Sequence, residues 1–418
     1  MKKIVVIILL LLSVTACQSE PSKDDTKETE QTITLTIRNP KVEIAPAFEK
    51  MIKAYEKQHP HVQIEVSTVG GALDNYSDLK AQLAANEGPD IFTNPGYEAT
   101  DLWEPYLEDL SDQTWVQHAY PETLEPITRD NHIYGMPMNL EGYGIIYNKN
   151  LFHQAGIKAP PTTFSALQTV VEKLEKKEIT PFATGYYEKW KLGDHLMNIA
   201  IAQQEKPDQF IQQLKDGTIS IEKNEQMDQL IDLLDLTIEH NGADPLSTDY
   251  MTELQQFTSG EAAMILQGNW VQPMIDKLHP QMEIGIFPIV INEKATNNAL
   301  HIHVPSYWVV NKQIPSKKKK EAKRLLNWMV HSEQGQYFMT KAFHFIPAFD
   351  HIDVSESNPM AQTITQVYQE NPMIAPNWSN LPAGLRESFG TDTQQYIKHN
   401  WSHHQLLKAY QQSWEQAY

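Results

Sequence analysis

The sequence predicts an α/β fold made of two lobes around one cleft, and three observations carry that reading. Short apolar strands alternate with amphipathic helices from residue 33 onward. The chain has 418 residues, roughly two to three times a typical domain. No Gly/Ser-rich linker and no fixed-period repeat divides it into domains in series. Two lobes without a linker imply a chain that crosses between them more than once. In order, Ile33, Leu35 and Ile37 alternate with threonines as a strand. Pro46 then opens a helical stripe of Phe48, Met51, Ile52 and Tyr55 that ends before Pro60. Val62, Ile64 and Val66 predict a second strand, Leu79 and Leu83 a helix stopping near Gly88-Pro89, and Asp90-Ile91-Phe92 a short buried strand. Gly144 to Tyr147 is strand-like. Pro161-Thr162-Thr163 leads into a helix with Phe164, Leu167, Val171 and Leu174 on one face. Glu222 to His240 repeats that stripe with Met227, Leu230, Ile231, Leu234 and Ile238. Such alternation predicts mostly parallel sheets covered by helices, with ligands at the carboxyl ends of strands.

Composition narrows the function. With 41% hydrophobic residues, 9 Trp, 17 Tyr and 13 Phe, the chain can build a sizeable core. Against 53 Asp plus Glu stand 34 Lys plus Arg, a formal net charge of -19. The one basic run, Lys317 to Lys320, reads as a solvated helical face, as does His403-His404. Nucleic acid and anionic membrane surfaces are therefore excluded as partners, and a strongly anionic ligand is disfavoured. The single cysteine, Cys17, excludes a disulfide framework. It follows Lys2-Lys3 and the nine apolar residues Ile4 to Leu12. That run is too short for a bilayer core of about 30 Å, which needs roughly 20 residues, so residues 1-16 are expected to be a removable signal peptide. Val14-Thr15-Ala16-Cys17 resembles the bacterial lipoprotein signal, which implies a lipidated Cys17, palmitate included, as the mature N-terminus. Residues 17-31, polar and without aliphatic side chains after the anchor, read as a flexible tether.

The most specific stretch runs from Tyr134-Gly135-Met136-Pro137-Met138-Asn139 through Leu140-Glu141-Gly142-Tyr143-Gly144 to Asn148-Lys149-Asn150-Leu151-Phe152. It resembles the extracellular solute-binding proteins of carbohydrate ABC importers. Gly88-Pro89-Asp90-Ile91-Phe92, Phe257 to Met264 with Gly268-Asn269-Trp270, and His331 to Gln336 with Ile346-Pro347-Ala348 resemble further blocks of that family in its order. The resemblance implies a two-lobe type II binding-protein fold with three interlobe hinge crossings. Lobe 1 would comprise residues 32-139 plus about 300-347, and lobe 2 residues 140-299 plus about 348-418. It further implies a carbohydrate ligand, an oligosaccharide in the family's manner, delivery to ABC permease transmembrane subunits, and a monomer held by its lipid on the outer face of the cell membrane. No cofactor or metal is expected.

The first crossing would set Glu141 at the cleft, where a carboxylate accepts two hydroxyl hydrogen bonds; charge-assisted bonds of this kind contribute about 1.5–3 kcal/mol. Trp270 matches the family's stacking Trp. By position at strand ends, Asn39, Lys41, Asn94, Tyr97, Tyr186 and Trp190 could line the cleft, with Trp378 in the Pro376-Asn377-Trp378 segment. His301 and His303 alternate onto one face of a strand where the family has a glycine-rich turn, which makes His303 a further ligand candidate. Enzyme motifs such as G-x-S-x-G, a P-loop or H-E-x-x-H are absent from the sequence. The alternatives are a glycoside-active lipoprotein enzyme working with two carboxylates, and a binding protein for a metal or polyamine.

Overall fold

Two sheets organise the described residues, which are 32–69, 76–294, 300–355, 357–370 and 381–418 of this computed structural model. In the first, β1 (Ile33–Asn39) pairs in parallel with β2 (Val62–Thr68) from Ile33 against Val62 to Asn39 against Thr68. β3 (Ile91–Asn94) lies parallel to β1 on its other edge. The helix Ala45–Gln58 starts with Pro46 in its first turn, where a missing N–H costs nothing, and buries Phe48, Met51, Ile52 and Tyr55. A two-stranded hairpin, β4 (Thr128–Arg129) with β5 (His132–Ile133), precedes β6 (Met136–Pro137) at the sheet's far edge.

The second sheet is centred on β7 (Glu141–Asn148). β8 (Thr180–Ala183) runs parallel to β9 (Ala262–Gly268), which is antiparallel to β7. β10 (Ile284–Phe287) and β11 (His301–His303) share the other edge of β7, both antiparallel to it. β12 (Tyr307–Val310) then returns to the first sheet, antiparallel to β3 and β6. The expected mostly parallel sheets are therefore corrected: only β1–β2, β1–β3 and β8–β9 are parallel among the described pairs. A parallel partner needs a helical crossover on the same sheet. Strands that arrive straight from the other sheet are free of that constraint.

Three residues, 138–140, connect β6 to β7, and Val304 to Ser306 connect β11 to β12. His301 and His303 thus belong to the second sheet, and the chain returns to the first after His303 rather than at about residue 300. Leu140 N donates to Ile346 O at 2.7 Å, so a later segment runs beside the first passage. The helices Ala383–His399 and His403–Ala417 pack on the helices of the second sheet. One buried cluster runs from Leu35, Phe48 and Trp308 to Ile146 and Ile265 on one face of the second sheet. Another, with Ile145, Leu234, Phe389 and Trp414, covers its other face.

Two runs expected to be solvated are so only in part: Lys317, Lys320 and His404 are exposed, but their neighbours are engaged. Lys318 reaches buried Asp90 at 2.9 Å and Lys319 reaches Glu108 at 2.9 Å. The His403 ring sits between Asp228, 3.0 Å from Nδ1, and Asp235, 2.9 Å from Nε2.

Candidate functional site

The loop after β1 carries the first group of charges. Asn39 is buried and folds the loop on itself, its Oδ1 accepting from Lys41 N at 3.1 Å and its Nδ2 donating to Lys41 O at 3.0 Å. This turn aims Lys41 across to β7, where Nζ forms an ion pair with Glu141, while Glu43 lies 3.5 Å away on the same loop. The ammonium also stands 5.8 Å from the centre of the Phe345 ring. Burial alone would lower the Lys41 pKa, but the Glu141 and Glu43 charges outweigh it and hold it above its ordinary value. Burial pushes the Glu43 carboxyl up in spite of Lys41. Asn139 Nδ2 donates to Glu141 Oε1 at 3.3 Å, so the carboxylate is held from the connecting segment as well.

The second group is a wall of rings. Trp270 follows β9, and its Nε1 donates to Gln267 Oε1 at 2.9 Å. Gln267 Nε2 donates to Glu253 Oε2 at 2.6 Å, and Glu253 also accepts from Gly185 N at 3.0 Å and pairs with the buried Lys191. A Cβ on Gly268 would stand 2.1 Å from the Trp270 ring and 2.5 Å from Gly142 O, so only glycine lets the ring fold back over the sheet. Trp190 meets Trp270 edge-on at 6.3 Å, and His195 lies 5.2 Å from it. His195 stacks on Tyr143 at 4.5 Å, which stacks on His301 at 5.1 Å; His303 meets Tyr143 edge-on at 6.1 Å. Burial pushes His301 and His303 down to about 3 and His195 well below its ordinary value, so all three imidazoles are neutral near pH 7.

Between the two groups lie Tyr250 and Glu188. Burial, and then the charges of Glu43, Glu253 and Glu141, hold the Tyr250 hydroxyl protonated far above neutral pH, and it has no hydrogen-bond partner among the described residues. Burial raises the Glu188 carboxyl, which accepts from Tyr250 N at 3.4 Å. Asn139 Oδ1 is likewise buried without a partner. The arrangement thus offers flat apolar ring faces, spare donor and acceptor capacity, and four carboxylates, Glu43, Glu141, Glu188 and Glu253, against two ammonium groups, Lys41 and Lys191.

Of the residues singled out in the sequence, Lys41 and Glu141 meet directly, Trp190 and Trp270 meet at the ring wall, and His303 joins the latter through Tyr143. Asn39 shapes the loop. Asn94 does the same after β3, its Oδ1 accepting from Gly96 N at 2.7 Å and its Nδ2 donating to Ala99 O at 3.1 Å. Tyr97 is half-buried with a φ of 51°, a strained value for a tyrosine, locked by Pro126 O at 2.6 Å and by Arg129 donating to its carbonyl at 2.6 Å. Burial, Glu125 and Asp208 push its hydroxyl up to about 12; Asp208 lies on the helix Pro207–Lys215. Tyr186 is a correction: it is fully buried in the second core, its hydroxyl 2.6 Å from Thr237 Oγ1, and the neighbouring Tyr187 is the exposed one. Trp378 and Cys17, with residues 1-16 and the tether, lie outside the described residues.

Tyr143, His195, Tyr250, Glu43 and the Glu253–Gln267 pair were not singled out from sequence. His195 lies in a π-helical turn, Lys191–Leu196, which shifts the register by one residue and defeats a period-based reading. There Gly193 packs so closely that a Cβ would stand 1.9 Å from Arg386 O.

The profile of the bacterial extracellular solute-binding proteins matches residues 40–336. The melibiose/raffinose/stachyose-binding protein of Bacillus subtilis is 26% identical over 292 residues, 67% of this chain and 66% of that protein. The multiple sugar-binding protein of Streptococcus mutans is 23% identical over 328 residues, 77% of this chain and 75% of that protein. The chain thus matches just under two thirds of the length of the first of these relatives. A sugar transporter protein of Bacillus licheniformis, solved in complex with stachyose, superposes with a TM-score of 0.77 at 20% identity, covering 92% of this chain and 100% of that one. The likeness extends over both sheets, and the fold is the two-lobe α/β arrangement of type II binding proteins.

Proposed function

The chain belongs to the bacterial extracellular solute-binding proteins, and from that premise we propose that it captures a neutral oligosaccharide between its lobes and delivers it unaltered to the transmembrane subunits of an ABC importer. The observation that carries the reading is the wall of Trp270, Trp190 and neutral imidazoles together with the Lys41–Glu141 pair. An aromatic ring covering the C–H face of a sugar contributes about 0.5–1.5 kcal/mol beyond buried area, by analogy with aromatic pairs. Glu141 accepts sugar hydroxyls, and Tyr250 supplies a donor with no other partner among the described residues. Four acidic side chains around two ammonium groups leave no surplus cation to hold an anionic sugar, which favours a neutral one.

In this reading lobe 1 is residues 32-139 plus about 304-347 and lobe 2 is residues 140-303 plus about 348-418. The ligand touches both lobes and shifts the population toward the closed form, whose outer surface the permease reads. Cys17 carries the lipid that holds a monomeric protein at the outer face of the membrane through the tether. Among the described residues no helix is long and apolar enough to cross a membrane. No step alters the ligand, so neither glycoside chemistry nor metal or polyamine capture in the cleft is needed.

The test is a thermal-shift and Trp-fluorescence screen of mono-, di- and trisaccharides and longer oligomers, with product analysis by chromatography. Saturable binding without product is expected, weakened about tenfold or more, that is ~1.4 kcal/mol, in Trp270→Ala and Glu141→Gln with the fold intact. Silence across neutral and acidic sugars alike sinks the reading.

A further inference from the structure

Away from the cleft, three histidines and an aspartate converge where the segment after Ala348 passes the turn Thr114–His118 and the end of the helix Ser316–His331. Asp350 N donates to His118 O at 2.9 Å and Tyr120 N to Ala348 O at 3.0 Å, so the backbone itself holds residues 118 and 350 together. The His118 and His351 rings lie 4.4 Å apart, and His331 stands 5.1 Å from His351 and 5.8 Å from His118. Ligand atoms of His118, Asp350 and His351 all lie within 4.8 Å of one another.

The hydrogen bonding of His351 decides what this cluster can do. Its Nε2 lies 2.9 Å from Val330 O, and a carbonyl only accepts, so the ring proton is on Nε2. In the neutral ring Nδ1 is then a lone pair, buried without a hydrogen-bond partner among the described residues, 3.9 Å from Asp350 Oδ1. Two acceptors that face each other repel unless a cation stands between them. His118 Nδ1 approaches the same Oδ1 at 3.1 Å. Metal–ligand distances near 2.0–2.2 Å in a tetrahedron put ligand atoms about 3.4 Å apart, and the two separations bracket that value. A ring whose second nitrogen donates to a backbone carbonyl is also how metal-bound imidazoles are oriented.

We propose that His118, Asp350 and His351 bind a divalent first-row transition metal of the zinc class, with His331 within reach as a fourth ligand. Its Nε2 rests on Thr114 Oγ1 at 3.0 Å and would leave that contact. His118 and His351 are half-buried and Asp350 and His331 exposed, so the site is open to ions from solvent. The ion would fasten the segment that runs on from Ile346, the partner of the first passage at Leu140, to the end of a long helix.

The experiment is calorimetric titration of the purified protein with zinc, with cobalt as the spectroscopic probe of imidazole coordination. One tight equivalent is expected. His118→Ala and His351→Ala should each weaken it at least about tenfold, and so should Asp350→Asn, an exposed change that spares packing. His404→Ala, an exposed histidine elsewhere on the surface, should leave it unchanged. Circular dichroism and sugar binding report that each variant is folded. Absence of saturable zinc binding, or an equivalent that survives all three cluster variants, overturns the proposal.

Discussion

Replacing Glu253 by alanine should destabilise the protein by about 3–5 kcal/mol, the usual cost of leaving one member of a buried ion pair alone. Glu253 has no exposure and serves three donors: the Lys191 ammonium, Gln267 Nε2 at 2.6 Å and Gly185 N at 3.0 Å. Lys191 cannot escape, because its side chain is 3% exposed. Among its other neighbours are the Tyr186 ring, 5.9 Å away, and the Glu188 carboxyl; a cation–π contact of about 0.5–2 kcal/mol and that second acid replace part of the loss only. At roughly 2–4 °C per kcal/mol for a unit of 150–250 residues, the transition of the second lobe should fall by about 6–20 °C. Scanning calorimetry and urea unfolding read this directly. Lys191→Met/Glu253→Gln removes both charges, keeps an acceptor for Gly185 N, and should recover most of the loss. A single variant within about 1 kcal/mol of the parent, or a double variant no more stable than Glu253→Ala, would refute the reasoning.

Gly268→Ala puts a methyl 2.1 Å from the Trp270 ring, which must leave the sheet. Sugar affinity should fall about tenfold or more with a stability loss of ~1–3 kcal/mol, and titration with unchanged affinity would remove Trp270 from the platform. His403 carries a pH signature. Burial of the ring lowers its pKa, but the hydrogen bonds it donates to Asp235 and Asp228 and the charges of those carboxylates raise it above 6.5 overall; Asp232 and Tyr396, whose hydroxyl donates to Asp235, stand nearby. A raised folded pKa means stability that is fully present below the unfolded value and is lost as pH rises through the folded one. Urea unfolding of the parent against His403→Gln should therefore show a larger gap at about pH 5.5 than at about pH 9; a gap that is the same at both contradicts the pairing.

Elements with local signals were legible. The threonine-spaced apolar residues of β1 and the Phe48, Met51, Ile52, Tyr55 stripe needed only periods of two and 3.6. The block around Glu141 and the Trp after Gly268-Asn269 brought two members of the candidate site with it. What failed was non-local. Adjacent Tyr186 and Tyr187 in one loop differ only in which way the loop turns, and Thr237, 51 positions away, decides it. The Lys317 to Lys320 run looks solvated by composition, whereas Asp90, 228 positions earlier, waits for Lys318. The antiparallel strands follow from the two passages between sheets, and the π-helical turn at His195 has no periodic signature.

With the lobes divided as proposed, the Lys41 ammonium has a carboxylate on each side of the cleft, Glu43 and Glu141, and this asymmetry bears on how the lobes would part. Buried ion pairs contribute little net stability, because desolvation offsets the Coulomb gain, whereas an abandoned partner costs much. If Glu141 were the sole partner, separating β7 from the loop after β1 would strand both charges. Glu43 sits on the same loop as Lys41, 3.5 Å from its Nζ, and travels with it. Glu141 keeps Asn139, in the segment that joins the sheets. Neither ion is left alone when the pair breaks. The proposed opening then costs a modest free energy, of the few-kcal/mol size that a ligand can reverse by touching both lobes. Sugar hydroxyls that take Glu141 from Lys41 replace one acceptor contact by another without creating a buried orphan. A site assembled on a buried ion pair can in this way open and close around a neutral ligand, provided that each charge has a second partner on its own lobe or at the hinge.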